Sequence, residues 1–360
     1  MQNICSLSWT ANIRDTTIPN YFAFNQENLW NRRQLLKLAL ISAGVTGAAL
    51  LWSRLTAQKQ LVRVPPLETE GNFNSAVNPV QVLRNFDYGT LKQENGRTIR
   101  EFRLTAGTSA IKLNSAASYN IWDLNGRIPG PTLRAKQGDR VRILFLNKAG
   151  HSHSLHFHGV HPAEMDGVRP VSNGSATIYE FDAEPFGVHL YHCHIEPVTR
   201  HIAKGLYGMF IIDPPKPRPA ADEIVLVMAG YDVNDDNHNE YYAFNGLPHY
   251  YMDNPIRIYQ NQLIRLYVLN IIEFDPAVTF HLHANFFDVY PTGMTLTPSQ
   301  KSDVVTMGVA ERHILEFAFR YPGKYMFHPH QDAIAENGCM GLFEVVAEKD
   351  YQNPAKSVKS

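Results

Sequence analysis

The chain has 360 residues, a hydrophobic share of 44% and a formal net charge of −1, which describes a globular protein of about two domains with sizeable cores. A balance so close to neutral gives no electrostatic footing for nucleic acid. Sixteen histidines stand against three cysteines, Cys5, Cys193 and Cys339, too few and too scattered for a disulfide framework.

The N-terminus is expected to lie outside the fold. Asn31-Arg32-Arg33-Gln34-Leu35-Leu36-Lys37 precedes the uncharged run Leu38 to Trp52, and this pattern resembles a twin-arginine export signal. The run is short for a membrane span of about 20 residues, so 1–57 reads as a signal segment, with a retained membrane anchor as the other reading. Either places the protein in the periplasm or another extracytoplasmic space. Residues 58–77 read as an extended tail and 349–360 as a C-terminal one.

From residue 78 onward, short apolar runs are punctuated by Gly, Pro and Asn, without a long amphipathic helix. Ile121-Trp122 leads into Asn125-Gly126-Arg127-Ile128-Pro129-Gly130-Pro131, which cannot continue a helix or a central strand. Arg140 to Leu146, the surroundings of His156, the run beginning at Tyr191, and Gly208 to Ile212 read as strands. A proline-rich linker over 214–222 separates a first domain, 78–213, from a second, 223–348, which opens on an apolar strand from Glu223 to Met228. Short strands at this spacing predict an all-β protein of two β-sandwiches rather than βαβ units.

An internal repeat supports two copies of one sandwich. Ile178-Tyr179-Glu180-Phe181 through His192-Cys193-His194 aligns with Ile314-Leu315-Glu316-Phe317 through His328-Pro329-His330 at a constant offset of 136, a domain-sized period. Gly187 matches Gly323, and Asn125-Gly126 is echoed by Asn245-Gly246.

The histidines carry the chemistry. His156/His158, His192/His194, His281/His283 and His328/His330 are His-x-His pairs, two per repeat, and each pair lies on one face of a strand. Eight neutral imidazoles suit copper better than magnesium or calcium. In the first domain His153, Cys193 and His201 complete a two-nitrogen, one-sulfur set, that of a blue copper electron-transfer site. Its axial position falls shortly after His201, at Leu206, and a leucine donates no lone pair, which predicts a high reduction potential. In the triplet His192-Cys193-His194, strand alternation sends the thiol to one face and both imidazoles to the other, so a short piece of backbone joins the two metal sites.

These motifs resemble the two-domain, laccase-like branch of the multicopper oxidases. The carriers are Asn125-Gly-Arg-Ile-Pro-Gly-Pro-Thr132, His153-Ser-Leu-His-Phe-His-Gly159, His192-Cys193-His194 and Tyr325-Met-Phe-His-Pro-His330, and the resemblance spans about 100 to 346. It implies two cupredoxin-like Greek-key sandwiches holding one type 1, one type 2 and two type 3 coppers per chain. By position, His153, Cys193 and His201 would hold type 1 copper and His156 and His281 type 2. His158, His192, His194, His283, His328 and His330 would hold the type 3 pair. The second domain lacks a mononuclear site: Val278, Ile334 and Cys339 take the places of the upstream His, the downstream His and the axial residue. Asp166 sits where the family keeps a proton-supplying acid, and Glu196 could border the type 1 site.

The implied reaction couples four one-electron oxidations of a small reductant (a phenol, aromatic amine or low-valent metal ion) to reduction of O2 to water. The family pattern further implies a homotrimer with trinuclear clusters between subunits. A copper nitrite reductase and a non-enzymatic copper store or electron carrier are the alternatives; the first leaves five of the eight cluster histidines unused, the second leaves four ordered pairs unexplained. His151, His161, His189, His238, His249 and His313 receive no role, and His161 is expected to be exposed.

Overall fold

The computed structural model describes residues 78–347. The twin-arginine stretch, Cys5, the 58–77 tail and the C-terminal tail lie outside the described residues. Among the described residues no helix is long and apolar enough to cross a membrane.

After a short helix α1 (Pro79–Arg84), the first domain runs through β1 (Phe86–Asp87), β2 (Thr90–Glu94), β3 (Arg97–Lys112), β4 (Ser118–Leu124), β5 (Thr132–Lys136), β6 (Arg140–Asn147), β7 (His156–Phe157), β8 (Ala176–Asp182), β9 (Gly187–His192) and β10 (Tyr207–Asp213). Helix α2 (Val198–Ala203) interrupts the last two. The second domain carries β11 (Asp222–Tyr231), β12 (Tyr241–Phe244), β13 (Ile256–Tyr259), β14 (Ile264–Asn270), β15 (Ala277–Leu282), β16 (Phe287–Pro291), β17 (Gln300–Ser302), β18 (Val304–Gly308), β19 (Arg312–Phe317), β20 (Gly323–His328) and β21 (Gly341–Val346). Its helices are α3 (Tyr250–Asp253) and α4 (Asp332–Glu336). The proline-rich linker ends at residue 221, and β11 begins at Asp222.

The repeat read from the sequence is a repeat of topology. The order β4-β3-β6-β8 in one sheet of the first domain recurs as β12-β11-β14-β19, and β5-β10-β9-β7 recurs as β13-β21-β20-β15. In both copies the same pairs run parallel, β3 with β6 and β11 with β14, β5 with β10 and β13 with β21. The hairpin turns match too. Asn125 and Asn245 have φ of 60° and 52°, followed by Gly126 and Gly246 at 70° and 100°, the left-handed pair that a tight hairpin of matching twist requires. Each Asn bonds back to the preceding strand: Asn125 Nδ2 donates to Arg103 O and its Oδ1 accepts from Thr105 N, as Asn245 does with Val225 O and Val227 N.

Strand β6 alternates between half-exposed and buried residues along its length, as a strand with one wet face must. Strands β9, β11 and β14 are covered on both faces or nearly so, because the sandwiches pack on each other. Val188 and Leu190 of β9 belong to a core continuous with Ile224–Ala229 and Ile264–Leu269 of the second domain. Tyr191 and Cys193 point instead into the first domain's own core, with Phe157, Leu206 and Phe210. The run that carries the His-Cys-His triplet is therefore apolar because it is buried twice. At the junction Arg134 bridges Asp213 and Glu223, and Arg265 pairs with Glu316.

Candidate metal centre

Strand β9 ends at His192, two residues earlier than a strand through the whole triplet would. Cys193 lies where the chain leaves the sheet, held by its N–H donating to Leu206 O at 2.9 Å. His201 comes from α2, and His153 is fixed by a backbone bridge to Val171. These elements converge three donors. His153 Nδ1 and His201 Nδ1 are 3.1 Å apart, and Cys193 Sγ is 3.7 Å and 3.1 Å from them. An ion held trigonally at about 2.0 Å from nitrogen and about 2.3 Å from sulfur needs donors roughly 3.5 Å apart, so the triangle fits with little adjustment.

Its electrostatics also fit a metal. Burial pushes His153 down to about 3 and His201 to about 4, leaving both rings neutral and able to ligate at neutral pH. Burial raises the Cys193 thiol, against the lowering effect of neighbouring N–H groups that include Ser154 N, 3.5 Å from Sγ; an entering cation would have to displace that proton. Leu206 is buried in the surrounding core. Its N–H donates to His201 O at 3.3 Å, and Cys339 N–H donates to Ile334 O at the same distance. Trp122 N–H donates to Lys204 O as Tyr242 N–H donates to Asn337 O. Ile334 and Cys339 thus stand in the second domain where His201 and Leu206 stand in the first, and with Val278 they are part of an apolar core.

The paired histidines gather on the opposite side of the triplet. In the first domain the His156 ring meets those of His158, His192 and His194, stacking on the last at 4.9 Å. In the second, His281 meets His283, His328 and His330. His158 Nε2 and His192 Nε2 are 2.9 Å apart; His283 Nε2 and His328 Nε2 are 3.0 Å apart. Several rings are oriented through the other nitrogen, whose N–H donates to a backbone carbonyl: His156 to Asp166, His192 to Cys193, His281 to Asp303, His328 to Pro329, at 2.8–2.9 Å. Such bonds fix the tautomer and leave Nε2 as the free donor. His194 Nδ1 is buried without a hydrogen-bond partner, an orphan that a metal would satisfy. Each group of candidate ligands is drawn from one sandwich, with His156, His158 and His192 in one and His281, His283 and His328 in the other.

Asp166 joins the first cluster. Its Oδ1 is 3.0 Å from His156 Nδ1 and 3.5 Å from His161 Nε2. Glu196 is exposed, just ahead of α2, and joins none of the candidate metal groups among the described residues. His161 corrects the expectation of exposure. Its side chain is 9% exposed and lies 3.1 Å from His156 Nδ1. His189, also without an expected role, is buried with a ring nitrogen 2.9 Å from each of His158 O and Pro185 O. A lone His beside a proline or between strand residues has no periodic signal to mark it. Nor does any motif mark Trp122, whose ring lies 4.8 Å from that of His153 and 4.7 Å from that of His201.

Two β-sandwiches with one thiolate–imidazole pocket and two clusters of imidazoles define a copper protein of the cupredoxin class. Residues 105–217 and 218–349 each match a family model described as multicopper oxidase, and the chain belongs to that family. A solved multicopper oxidase is 47% identical, with a TM-score of 0.74 over 76% of this chain and 98% of its own. The copper nitrite reductase from Nitrosomonas europaea is 26% identical, with a TM-score of 0.63 over 69% of this chain and 94% of that one. The copper-containing nitrite reductase of Neisseria gonorrhoeae is 27% identical over 260 residues. The matched region covers 65% of that relative's length, just under two thirds.

Proposed function

We propose that the chain is a laccase-like multicopper oxidase, coupling four one-electron oxidations of a phenol, aromatic amine or low-valent metal ion to reduction of O2 to water. The observation that carries this is the pair of four-imidazole clusters, one per sandwich, each with two Nε2 atoms 2.9–3.0 Å apart. Copper, when bound, supplies the one-electron chemistry and the site of oxygen reduction. His153, Cys193 and His201 would hold type 1 copper, with Leu206 at the axial position. His156 and His281 would hold type 2 copper, and His158, His192, His194, His283, His328 and His330 the type 3 pair.

The chain's own residues would do the rest. The backbone from Cys193 to His192 and His194 spans the distance between the two kinds of site. Carbonyls of Asp166, Cys193, Asp303 and Pro329 hold the imidazoles in one tautomer. Asp166, half exposed beside His156 and His161, would deliver protons from solvent. Glu196 would stand at the rim of the mononuclear site. Because each cluster is confined to one sandwich, a complete trinuclear site would form between copies, as a homotrimer joining the first domain of one chain to the second of its neighbour. Such a heterologous interface closes a ring only at the right rotation. Export through the twin-arginine segment to the periplasm fits a cofactor-loaded protein.

Nitrite reduction is the second reading, favoured by the similarity to the Nitrosomonas and Neisseria enzymes. Copper-loaded protein should consume O2 with hydroquinone as reductant and leave nitrite unchanged under nitrogen. Nitrite turnover without oxygen uptake would replace the first reading by the second.

A further inference from the structure

Both imidazoles of the thiolate pocket are closed off from water. His153 and Cys193 are 0% exposed and His201 is 5% exposed. His153 Nε2, the ring nitrogen facing away from the donor triangle, is buried and has no hydrogen-bond partner. The polar route out of the site through that ring is therefore shut, and what lies against it is an indole. Trp122 stands on the half of β4 that carries Ser118 and Asn120, the outward positions of an alternating strand. Its backbone is pinned by donating to Lys204 O at 2.8 Å, and its ring lies within 4.8 Å of both imidazoles. The ring also meets the exposed His151 at 5.5 Å and lines a surface cavity of about 610 Å³ with Thr108, Ser109, Asn120 and Lys204. The half-exposed Trp122 is thus at once in contact with the sealed ligands and with a cavity that a small molecule can enter.

We propose that Trp122 is the electron-entry residue of this protein: a small reductant docks in the Thr108–Asn120–Lys204 cavity and passes its electron across the indole to the pocket of His153, Cys193 and His201. The inference rests on the reading of that pocket as a type 1 copper site. Each transfer moves one electron. The reductant leaves oxidised by one electron, its proton goes to solvent, and the cupric ion held by the pocket becomes cuprous. An indole suits the position because its extended π system is in van der Waals reach of both ligands while its bulk excludes water from them.

The test uses the full-length, copper-loaded protein with Trp122→Phe, which keeps a shorter π system, and Trp122→Leu, which keeps an apolar cover without one. Copper content and the thiolate-to-copper visible absorption should be unchanged in both. Anaerobic mixing with hydroquinone should bleach that absorption more slowly in Trp122→Leu, on the order of tenfold, with Trp122→Phe in between. Bleaching at the wild-type rate or faster in Trp122→Leu overturns the proposal. Trp122 is the sole tryptophan beyond residue 52, so wild-type minus Trp122→Phe emission isolates its fluorescence. That emission should be quenched on copper loading and restored on copper removal; emission indifferent to copper contradicts the contact. Should Trp122→Leu not fold, the double variant Thr108→Leu/Asn120→Leu fills the cavity without touching a ligand. It should slow bleaching by hydroquinone, and an unchanged rate would overturn the docking site. Wild-type protein that binds copper without thiolate absorption would instead remove the type 1 reading beneath it.

Discussion

His192 donates its Nδ1–H to the carbonyl oxygen of Cys193 at 2.8 Å. The residue that offers the sulfur to one site thereby sets the tautomer of an imidazole in the other. His328 repeats the bond to Pro329 O at 2.8 Å, so the second domain keeps the geometry of the connection without the sulfur. In the proposed oxidase, electrons enter through the first domain alone. Cys193→Ser should abolish visible thiolate absorption and reductant-driven oxygen uptake while the imidazole clusters keep their copper. Metal analysis with electron paramagnetic resonance checks both halves of that statement.

Leu206 and Cys339 occupy equivalent positions behind equivalent helices, and neither carries a thioether. Leu206→Met would add a donor that favours the oxidised ion. The reduction potential should fall, as read by spectroelectrochemical titration of the thiolate absorption. An unchanged potential would remove Leu206 from the axial position.

Asp166 touches His156 in two ways, through its carbonyl oxygen and its carboxylate. Asp166→Asn keeps the first contact and loses the ionisable one. Turnover should drop by about 10–100-fold, the usual effect of altering a group behind a metal ligand. Anaerobic bleaching of the thiolate absorption by hydroquinone should be unaffected, since that electron enters at the other site. Loss of both in equal measure would mean that the substitution had damaged the fold.

Much of this site could be read from residue order, because metal ligands on paired strands repeat at spacings the backbone imposes. The 136-residue offset between His192-Cys193-His194 and His328-Pro329-His330 proved to be one topology used twice. Contacts made across the fold left no such trace. His161 bonds to a cluster that its local sequence does not announce, and Trp122 looks like any aromatic in a strand until β4 and α2 are brought together. The end of β9 at His192 was hidden because apolar burial on both faces continues past the last ladder hydrogen bond.

The buried imidazoles make the metal-free protein sensitive to acid. Burial holds His153 near 3 and His192 and His201 near 4, against 6.5 for the free side chain. Between these values the unfolded chain binds protons that the folded one does not, so stability is full above about pH 6.5 and falls as pH falls. The loss amounts to about 2 kcal/mol per fully buried imidazole by pH 5. Thermal unfolding of copper-free protein should therefore drop steeply from pH 7 to 5. Copper should flatten the curve, because bound metal keeps the rings deprotonated. A pH-independent melting temperature in the copper-free form would show that these rings are hydrated.

Apolar side chains stand exposed beside both clusters: Val168 shortly after Asp166, Phe286 shortly after His283, and Val304 paired with His281 across the sheet. Burial of these residues against a neighbouring copy would explain them. Phe286→Asp should break the proposed trimer into monomers in analytical ultracentrifugation. Thiolate absorption should survive and oxygen uptake should be lost. A monomer with full oxidase activity would show that one chain completes the cluster by itself.

Ten imidazoles and one thiolate per chain are proposed to hold the coppers of a four-copper oxidase. Copper analysis of the purified, assembled protein tests this most directly. Four coppers per chain are expected, one of them lost with its visible absorption in Cys193→Ser; two coppers per chain, with the imidazole clusters holding a single ion, would rule the four-copper oxidase out.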